Sequence, residues 1–261
     1  MSNDILRVER DGAVATLTLV RPAARNALNM ELKRALAVAI REVARDNSVR
    51  CVVVTGTSDS FCAGGDIVEM ELNDTPVHSR SRLDLLLHDV FIPLHEMEKP
   101  TIAAVNGFAF GAGLSLALAC DLIVATRSAK FSCAFTRMGL LPDCGSLYFL
   151  PRRIPVGKAK ELFVTGRQFD AEEAASMGIV TTLVDDGDLD STVRQWAKEL
   201  AAGPTVALGL TKRLLDRSLN TSLEEMATLE SFAQAVLFAT DDHQAARKAF
   251  QDKSKPTFEG H

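Results

Sequence analysis

The first two thirds of the chain alternate short, mainly apolar runs with longer segments that are apolar on one side only. Residues 51–55, 101–105 and 121–125 are continuous runs of the length expected for buried strands. Between them, residues 30–45 and 82–98 carry apolar side chains three and four positions apart, which predicts amphipathic helices. This alternation predicts an α/β fold.

The pattern changes after about residue 188, where almost every segment has helical periodicity. The breaks fall at Gly203-Pro204 and near Asn220 and Asp241. Upstream, the polar residues 73–81 interrupt the alternation and predict a loop. We therefore expect an α/β core in residues 1–200, followed by a helical C-terminal region in residues 201–261.

The composition of the chain indicates which class of protein it belongs to and which binding partners are not expected. The 261 residues are 47% hydrophobic and 24% charged, as in an ordinary globular protein. A net charge of −5 predicts no nucleic-acid partner and no anionic membrane partner. The N-terminal residues lack a signal-peptide pattern, and no apolar run is long enough to span a bilayer. Five scattered cysteines without metal-site spacing predict a reduced, cytoplasmic protein with no metal site.

Two turns share one design, in which small residues stand between a strand and a helix start. One is Ala63-Gly64-Gly65-Asp66 and the other is Gly111-Ala112-Gly113. Without side chains a ligand can approach the backbone closely, and two such turns side by side would aim two N–H groups at one oxyanion. A turn that only packs a helix on a strand is the alternative. Neither turn has the spacing of a phosphate-binding loop or a dinucleotide fingerprint.

Three motifs in this order resemble the crotonase (enoyl-CoA hydratase/isomerase) superfamily: residues 61–67 (FCAGGDI), 99–107 (KPTIAAVNG) and 111–113. Residues 25–28 fit as well, as do residues 162–166 with residues 174–180, so the resemblance covers essentially the whole chain. It implies a spiral of ββα units with a helical C-terminal trimerisation region, assembled as a homotrimer or a dimer of trimers. It also implies a coenzyme A thioester as substrate and no separate cofactor.

The resemblance assigns the two oxyanion donors to the backbone N–H groups of Gly65 and Ala112. It places Arg25 near the phosphates of coenzyme A, and Lys255 and Phe258 in a C-terminal segment that covers the nucleotide, in some members from a neighbouring subunit. Solvated surface charge is an equal account of Lys255. The other residues that it places along the substrate are Ala63, Asp66, Ile67, Val68, Ser115 and Phe135.

The acid–base residues decide which reaction the family site performs. Family hydratases carry two glutamates, and the resemblance places Ser115 and Phe135 at those positions. Neither side chain can act as a carboxylate base. Asp143 remains, and an acid occupies its position in some isomerases of the family, including the ring-opening isomerase of phenylacetate breakdown. We therefore expect Asp143 to be the catalytic acid–base group.

The surroundings of Asp143 support that role. The neighbouring Leu140, Leu141, Pro142 and Phe135 are expected to desolvate the carboxyl group and raise its pKa toward the value that a proton shuttle needs. The alternative is that Asp143 caps the helix that begins near residue 145.

The sequence thus predicts an enoyl-CoA isomerase in which one carboxylate moves a proton. Three alternatives stay open. One is a hydratase with an atypical site, or a relative that adds water through Asp143. Another is a catalytically silent acyl-CoA binder, because both family glutamates are missing. A third is a dehalogenase, in which Asp143 would be the nucleophile and a histidine such as His88 or His95 its partner.

Overall fold

The computed structural model describes residues 5–70 and 75–261, and its larger sheet has six strands in the order β1-β2-β3-β5-β7-β10. A hairpin around Gly12 pairs the first two strands antiparallel, and each later neighbour is parallel. The apolar runs at residues 51–55, 101–105 and 121–125 form the centre of this sheet, as predicted. The strands are β1 (Leu6–Asp11), β2 (Val14–Leu19), β3 (Cys51–Gly56), β5 (Thr101–Val105), β7 (Leu122–Thr126) and β10 (Thr182–Val184).

A second sheet has four strands in the order β4-β6-β8-β9. Its strands are β4 (Ser60–Cys62), β6 (Phe108–Phe110), β8 (Lys130–Ser132) and β9 (Gln168–Asp170). The strands β4, β6 and β8 each follow a strand of the larger sheet after a short connection, so the chain visits the two sheets in turn. This confirms the spiral of ββα units that the resemblance implies. The apolar pattern missed most of this sheet, because three residues are too few to show a periodicity.

The described residues form twelve α-helices, and a π-helical turn (Leu87–Phe91) joins the third helix to the fourth. They are α1 (Met30–Arg45), α2 (Ile67–Met70), α3 (Pro76–Leu86), α4 (Ile92–His95), α5 (Ala112–Leu118), α6 (Ser146–Arg153), α7 (Val156–Thr165), α8 (Ala171–Met177), α9 (Leu189–Ala201), α10 (Thr205–Ser218), α11 (Leu223–Phe238) and α12 (Asp241–Gln251).

The loop predicted for residues 73–81 is wrong from residue 76 onward, where α3 begins. The Thr75 side chain accepts a hydrogen bond from the His78 N–H at 3.3 Å, and Pro76 occupies the first turn. A capping threonine before a proline is a strong helix start that outweighs the polar composition of the segment. The first part of the prediction, Asn73 and Asp74, lies outside the described residues.

The larger sheet is covered on both faces, which explains why its central strands are continuously apolar. One face belongs to the main core, which includes the apolar side of α1 and the whole of α5. The other face packs on α9 through a separate cluster that includes Ile102, Val193 and Ala197. The two glycine turns follow β4 and β6, the strands of the smaller sheet that come after β3 and β5 in the chain.

The last three helices make a helical region of their own. A salt bridge of 2.7 Å from the Lys212 ammonium to Asp121 ties α10 to the core. The helix α11 has no buried residue, although Phe232, Val236 and Phe238 lie on it. Among the described helices, none is both long and apolar enough to cross a membrane.

Candidate active site

The two glycine turns lie directly against each other. Gly64 has φ +102°, and a Cβ atom there would come within 2.7 Å of the Phe110 carbonyl oxygen and 3.5 Å of the Ala112 nitrogen. A Cβ atom on Gly113 would come within 2.0 Å of the Cys62 carbonyl oxygen. The end of β4 therefore touches the start of α5 at two points, and each contact requires a residue without a side chain.

This packing leaves two backbone N–H groups beside each other. The first turn pairs with Leu28 through the Gly64 carbonyl group (2.8 Å) and the Asp66 N–H (3.4 Å), and the Gly65 N–H takes no part. Ala112 is the first residue of α5, so its N–H has no acceptor within the helix. No acceptor for either N–H occurs among residues 5–70 and 75–261. Two adjacent, unused donors are what an oxyanion hole requires.

Polar side chains hold the first turn in place. The Asp66 carboxylate accepts a hydrogen bond from Arg21 at 2.9 Å and another from the Val68 N–H at 3.1 Å. The Arg21 guanidinium also donates to the Ala27 carbonyl oxygen. The fully buried Asn26 amide donates to the Ser60 carbonyl oxygen at 2.7 Å. The Asp66 side chain, predicted to lie along the substrate, therefore points to Arg21 and stabilises the turn.

The other predicted substrate residues near this turn are exposed or form the turn itself. Ile67 and Val68, at the start of α2, are 55% and 74% exposed, which suits contact with a ligand. The Ala63 N–H donates to the Arg25 carbonyl oxygen at 2.9 Å. The exposed Arg25 guanidinium lies 4.9 Å from the centre of the Phe108 ring.

Ser115 and Phe135 both pack at the second turn. Ser115 is fully buried, and its hydroxyl donates to the Gly111 carbonyl oxygen at 3.3 Å. The Phe135 ring lies 3.9 Å from the place where a Gly111 Cβ atom would be. The hydroxyl is already engaged and the phenyl ring is apolar, so neither position supplies a base.

Asp143 is half-buried, and burial raises the pKa of its carboxyl group. The Cys144 thiol, by a hydrogen bond, and the Lys33 charge lower it by less than burial raises it. The raised pKa agrees with the prediction. Of the residues expected to cause it, Leu140 and Leu141 are 47% and 74% exposed, whereas Pro142 and Phe135 are buried.

The alternative role of Asp143 as a helix cap is wrong. The residue that precedes α6 is Gly145, and no side chain caps the helix. Asp143 contributes only its carbonyl oxygen, which accepts from the Ser146 N–H at 3.0 Å. The Asp143 carboxylate therefore makes no hydrogen bond that caps α6.

The Asp143 turn also adjoins the glycine turns. The helix α6, which follows the Asp143 turn, packs against α5, whose first turn holds Ala112 and Gly113. The fold therefore brings together three segments that are far apart in the sequence.

The sequence gives no reason to single out two charged residues of this region, Lys33 on α1 and Glu69 on α2. Lys33 is half-buried on α1, and its charge acts on Asp143, Cys144 and Glu69. Both carboxylate oxygens of Glu69 accept from the Met30 N–H, at 2.8 and 2.9 Å. A lysine beside the apolar stripe of an amphipathic helix is usually a solvated surface residue, so nothing in the sequence distinguishes Lys33.

Other predicted residues do not reach this site within one protomer. The Phe258 carbonyl oxygen accepts a hydrogen bond at 2.8 Å from Arg50, the residue just before β3. Lys255 belongs to the same C-terminal tail and is exposed. His95 pairs with Asp216 at 3.4 Å and packs on Phe149. His88 is exposed. His95 is thus engaged by Asp216, which leaves the dehalogenase alternative without that partner for Asp143.

Two large clefts lie elsewhere on the molecule. One, of about 790 Å³, runs between α9 and the larger sheet, and the other, of about 580 Å³, lies between His95, α10 and α11. Within the part of the chain that the structure describes, no group of three or more His, Cys, Asp or Glu side chains is placed to hold a metal ion.

Comparison with known proteins gives a consistent family. The family model described as enoyl-CoA hydratase/isomerase matches residues 9–261. The chain is 38% identical over 251 residues to the 1,2-epoxyphenylacetyl-CoA isomerase of Escherichia coli (strain K12), covering 95% of each chain. It is 35% identical over 256 residues to the short-chain-enoyl-CoA hydratase of Clostridium acetobutylicum, covering 98% of this chain and 97% of the relative.

Among solved structures, an enoyl-CoA hydratase/isomerase from Cupriavidus metallidurans CH34 has a TM-score of 0.92 and 35% identity, covering 100% of this chain and 98% of that one. An isomerase and a hydratase thus match at similar identity. The choice between the two reactions depends on the residues of the site.

Proposed function

This chain belongs to the enoyl-CoA hydratase/isomerase family, and we propose that it is an isomerase that shifts the double bond of an enoyl-CoA thioester. The observation that carries the proposal is the Asp143 carboxyl group, which is half-buried, does not cap α6 and has a raised pKa. Gly65 and Ala112 each keep an unused backbone N–H group, and the family resemblance places Ser115 and Phe135 at the positions where hydratases of the family have glutamates.

The proposed mechanism needs one carboxylate and two N–H groups. Asp143 removes a proton from the carbon alpha or gamma to the thioester, and the electron pair of that C–H bond moves into the thioester carbonyl group. The N–H groups of Gly65 and Ala112 stabilise the enolate oxygen. Asp143 then returns the proton to the other carbon. Nothing is added to the substrate or lost from it, so no second acid–base group is required.

The proposed substrate class and assembly follow from the family and from the surface. Both relatives are named for coenzyme A thioesters, so we propose an acyl-CoA substrate. A homotrimer or a dimer of trimers would cover the exposed apolar residues of α11, which include Phe232 at 70% exposure. In such an assembly Lys255 and Phe258 would reach the nucleotide of a neighbouring subunit's substrate.

The test compares wild type with Asp143→Asn, using 3-enoyl-CoA and 2-enoyl-CoA as separate substrates. We expect wild type to interconvert them and the variant to lose about 10²–10⁴-fold in kcat, the usual contribution of a general acid–base group. Asp252→Asn, which makes the same change on an exposed residue, is the matched control. Binding of a saturated acyl-CoA by the variant checks that the site is intact.

Other outcomes would overturn the proposal. Undiminished isomerisation by Asp143→Asn would remove Asp143 from the mechanism. Hydration of 2-enoyl-CoA faster than isomerisation would identify a hydratase with an atypical site. Tight binding of acyl-CoA by wild type without any turnover would identify a silent binder.

A further inference from the structure

His95 lies where the C-terminal helices meet the core. It is the last residue of α4, and its Nε2 atom lies 3.4 Å from the Asp216 carboxylate on α10. The centre of its imidazole ring lies 4.9 Å from the centre of the Phe149 ring on α6. His95 therefore contacts the C-terminal region and the helix that follows the Asp143 turn at the same time.

The Phe149 ring lies directly on that turn. A Cβ atom on Gly145 would come within 2.5 Å of the Phe149 Cε2 atom and 3.0 Å of its Cζ atom. The Phe149 N–H also donates to the Gly145 carbonyl oxygen at 2.9 Å. Phe149 is 6% exposed, so its ring is enclosed as well as in contact with Gly145. Ring and backbone together join Phe149 to the turn.

Gly145 in turn fixes the backbone at Asp143. Cys144 and Gly145 have positive φ, at +54° and +75°, and the Ser146 N–H closes the turn on the Asp143 carbonyl oxygen at 3.0 Å. A non-glycine residue in this conformation is held there by its surroundings. A shift of the Phe149 ring would therefore move Gly145, and with it the Asp143 carboxylate.

The imidazole of His95 acts in this arrangement as an aromatic ring. Burial lowers the pKa of His95 by more than the Asp216 carboxylate raises it, so the ring is uncharged at pH 7. A neutral ring packs favourably on a phenyl ring at this separation. The polar contact with Asp216 limits how the imidazole can rotate away from Phe149.

We propose that His95 is a positioning residue, whose ring holds Phe149 against Gly145 and thereby keeps the Asp143 carboxylate in place for proton transfer. The inference deepens the proposed function and rests on it, because His95 acts through Asp143. Proton transfer is sensitive to such placement, since a displacement of about 1 Å can cost about 10²-fold in rate. The same contacts make the docking of α10 part of what the site requires.

The first measurement is kcat and KM for isomerisation in wild type and three variants. In His95→Ala we expect kcat to fall by about tenfold or more while KM stays within about twofold, because the reacting carboxylate is displaced but the binding of coenzyme A is not. His95→Phe keeps a ring against Phe149 and should retain most of the wild-type kcat. His243→Ala is the matched control, because His243 also packs on a phenyl ring, at 5.1 Å from Phe238 on the C-terminal helices, and should leave kcat unchanged.

The second measurement needs no turnover. All five cysteines are free and buried, and Cys144, next to Asp143, is 1% exposed. We follow the alkylation of each cysteine by iodoacetamide with peptide mass spectrometry. In His95→Ala, Cys144 should react about tenfold faster because the turn opens locally, while the other four cysteines keep their wild-type rates. His95→Phe and His243→Ala should label as wild type does.

Several results would overturn the inference. One is wild-type kcat and wild-type labelling in His95→Ala, and another is an equal loss of kcat in His243→Ala. A fall in kcat without faster labelling of Cys144 would also overturn it, because the effect would then not pass through the turn. If His95→Ala does not fold, Asp216→Ala replaces it, with a smaller effect in the same direction expected, and unchanged kcat and labelling there overturn the inference.

These outcomes separate the two proposals. If Asp143→Asn isomerises as fast as wild type, the proposed function fails, whatever the labelling shows. If Asp143→Asn is inactive and His95→Ala keeps the wild-type kcat and labelling, only the role of His95 fails.

Discussion

The glycine turns and the Asp143 turn adjoin each other, and both use positive φ angles, but they expose different kinds of functional group. In the glycine turns the proposed functional atoms are the backbone N–H groups of Gly65 and Ala112, held by contacts at Gly64 and Gly113 that leave no room for a Cβ atom. At Asp143 the proposed functional atoms belong to a side chain whose pKa is raised by burial. One region is defined by shape and the other by charge.

This difference determines whether a substitution in each region changes stability and activity in the same direction or in opposite directions. In the glycine turns the same close contacts hold the core together and place the two donors, so a substitution should reduce both. Around Asp143 the two demands oppose each other, because burial of an ionisable carboxyl group destabilises the fold while it prepares the group for proton transfer. Substitutions that change stability and activity separately test this comparison between the two regions.

Within the glycine turns, the largest effect is expected from removal of one backbone donor. Ala112→Pro deletes the N–H at the first position of α5, where proline is well tolerated in a helix. If the Ala112 N–H stabilises the enolate, kcat should fall by about 10²–10³-fold with little change in melting temperature. Ala112→Gly keeps the N–H and is the control. Equal activity of the two variants would show that this donor does not act in the reaction.

A smaller effect is expected from an added methyl group at the contact between the turns. In Gly113→Ala the new Cβ atom would meet the Cys62 carbonyl oxygen at 2.0 Å, and backbone must shift to relieve it. We expect the unfolding free energy to fall by about 3 kcal/mol, the upper range for overpacking, as measured by urea denaturation. Gly157→Ala, on an exposed part of α7 with no atom near its Cβ position, should instead stabilise by about 0.5–1 kcal/mol. A neutral Gly113→Ala would contradict the tight packing of the turns.

The smallest effect has the opposite sign. The pKa of Asp143 is higher in the folded than in the unfolded chain, so the unfolded chain ionises first as the pH rises above 3.8. The native state therefore loses stability from this group through that rise, until the folded carboxyl group also ionises. Asp143→Asn should stabilise the protein by about 0.5–1 kcal/mol at pH 7, as substitutions at strained functional sites often do.

That gain should shrink toward zero near pH 3, where the carboxyl group is protonated in both states. Thermal unfolding of Asp143→Asn and wild type across this pH range measures the difference, with Asp252→Asn as the exposed control. A loss of stability in Asp143→Asn at pH 7 would indicate that Asp143 supports the fold, and the contrast between the two regions would then disappear.

Local signals explain which parts of the fold were predictable. The central strands and α1 were recognisable because long apolar runs and three-to-four spacing persist over many residues. The strands β4, β6 and β9 have three residues each and are strands only because a neighbouring strand pairs with them. The start of α3 is not evident from the sequence pattern, because the polar composition of residues 73–81 obscures the signal of Thr75 and Pro76.

The site divides in the same way. The sequence by itself determined the small residues at both turns, the absence of glutamates at Ser115 and Phe135, and the presence of Asp143. Tertiary structure alone decided that Leu141 is exposed, that Asp66 pairs with Arg21, and that Asp143 is half-buried with a raised pKa. The physical reason is that backbone freedom is a property of each residue, whereas burial and electrostatic interaction depend on which distant segments the fold brings within a few ångströms.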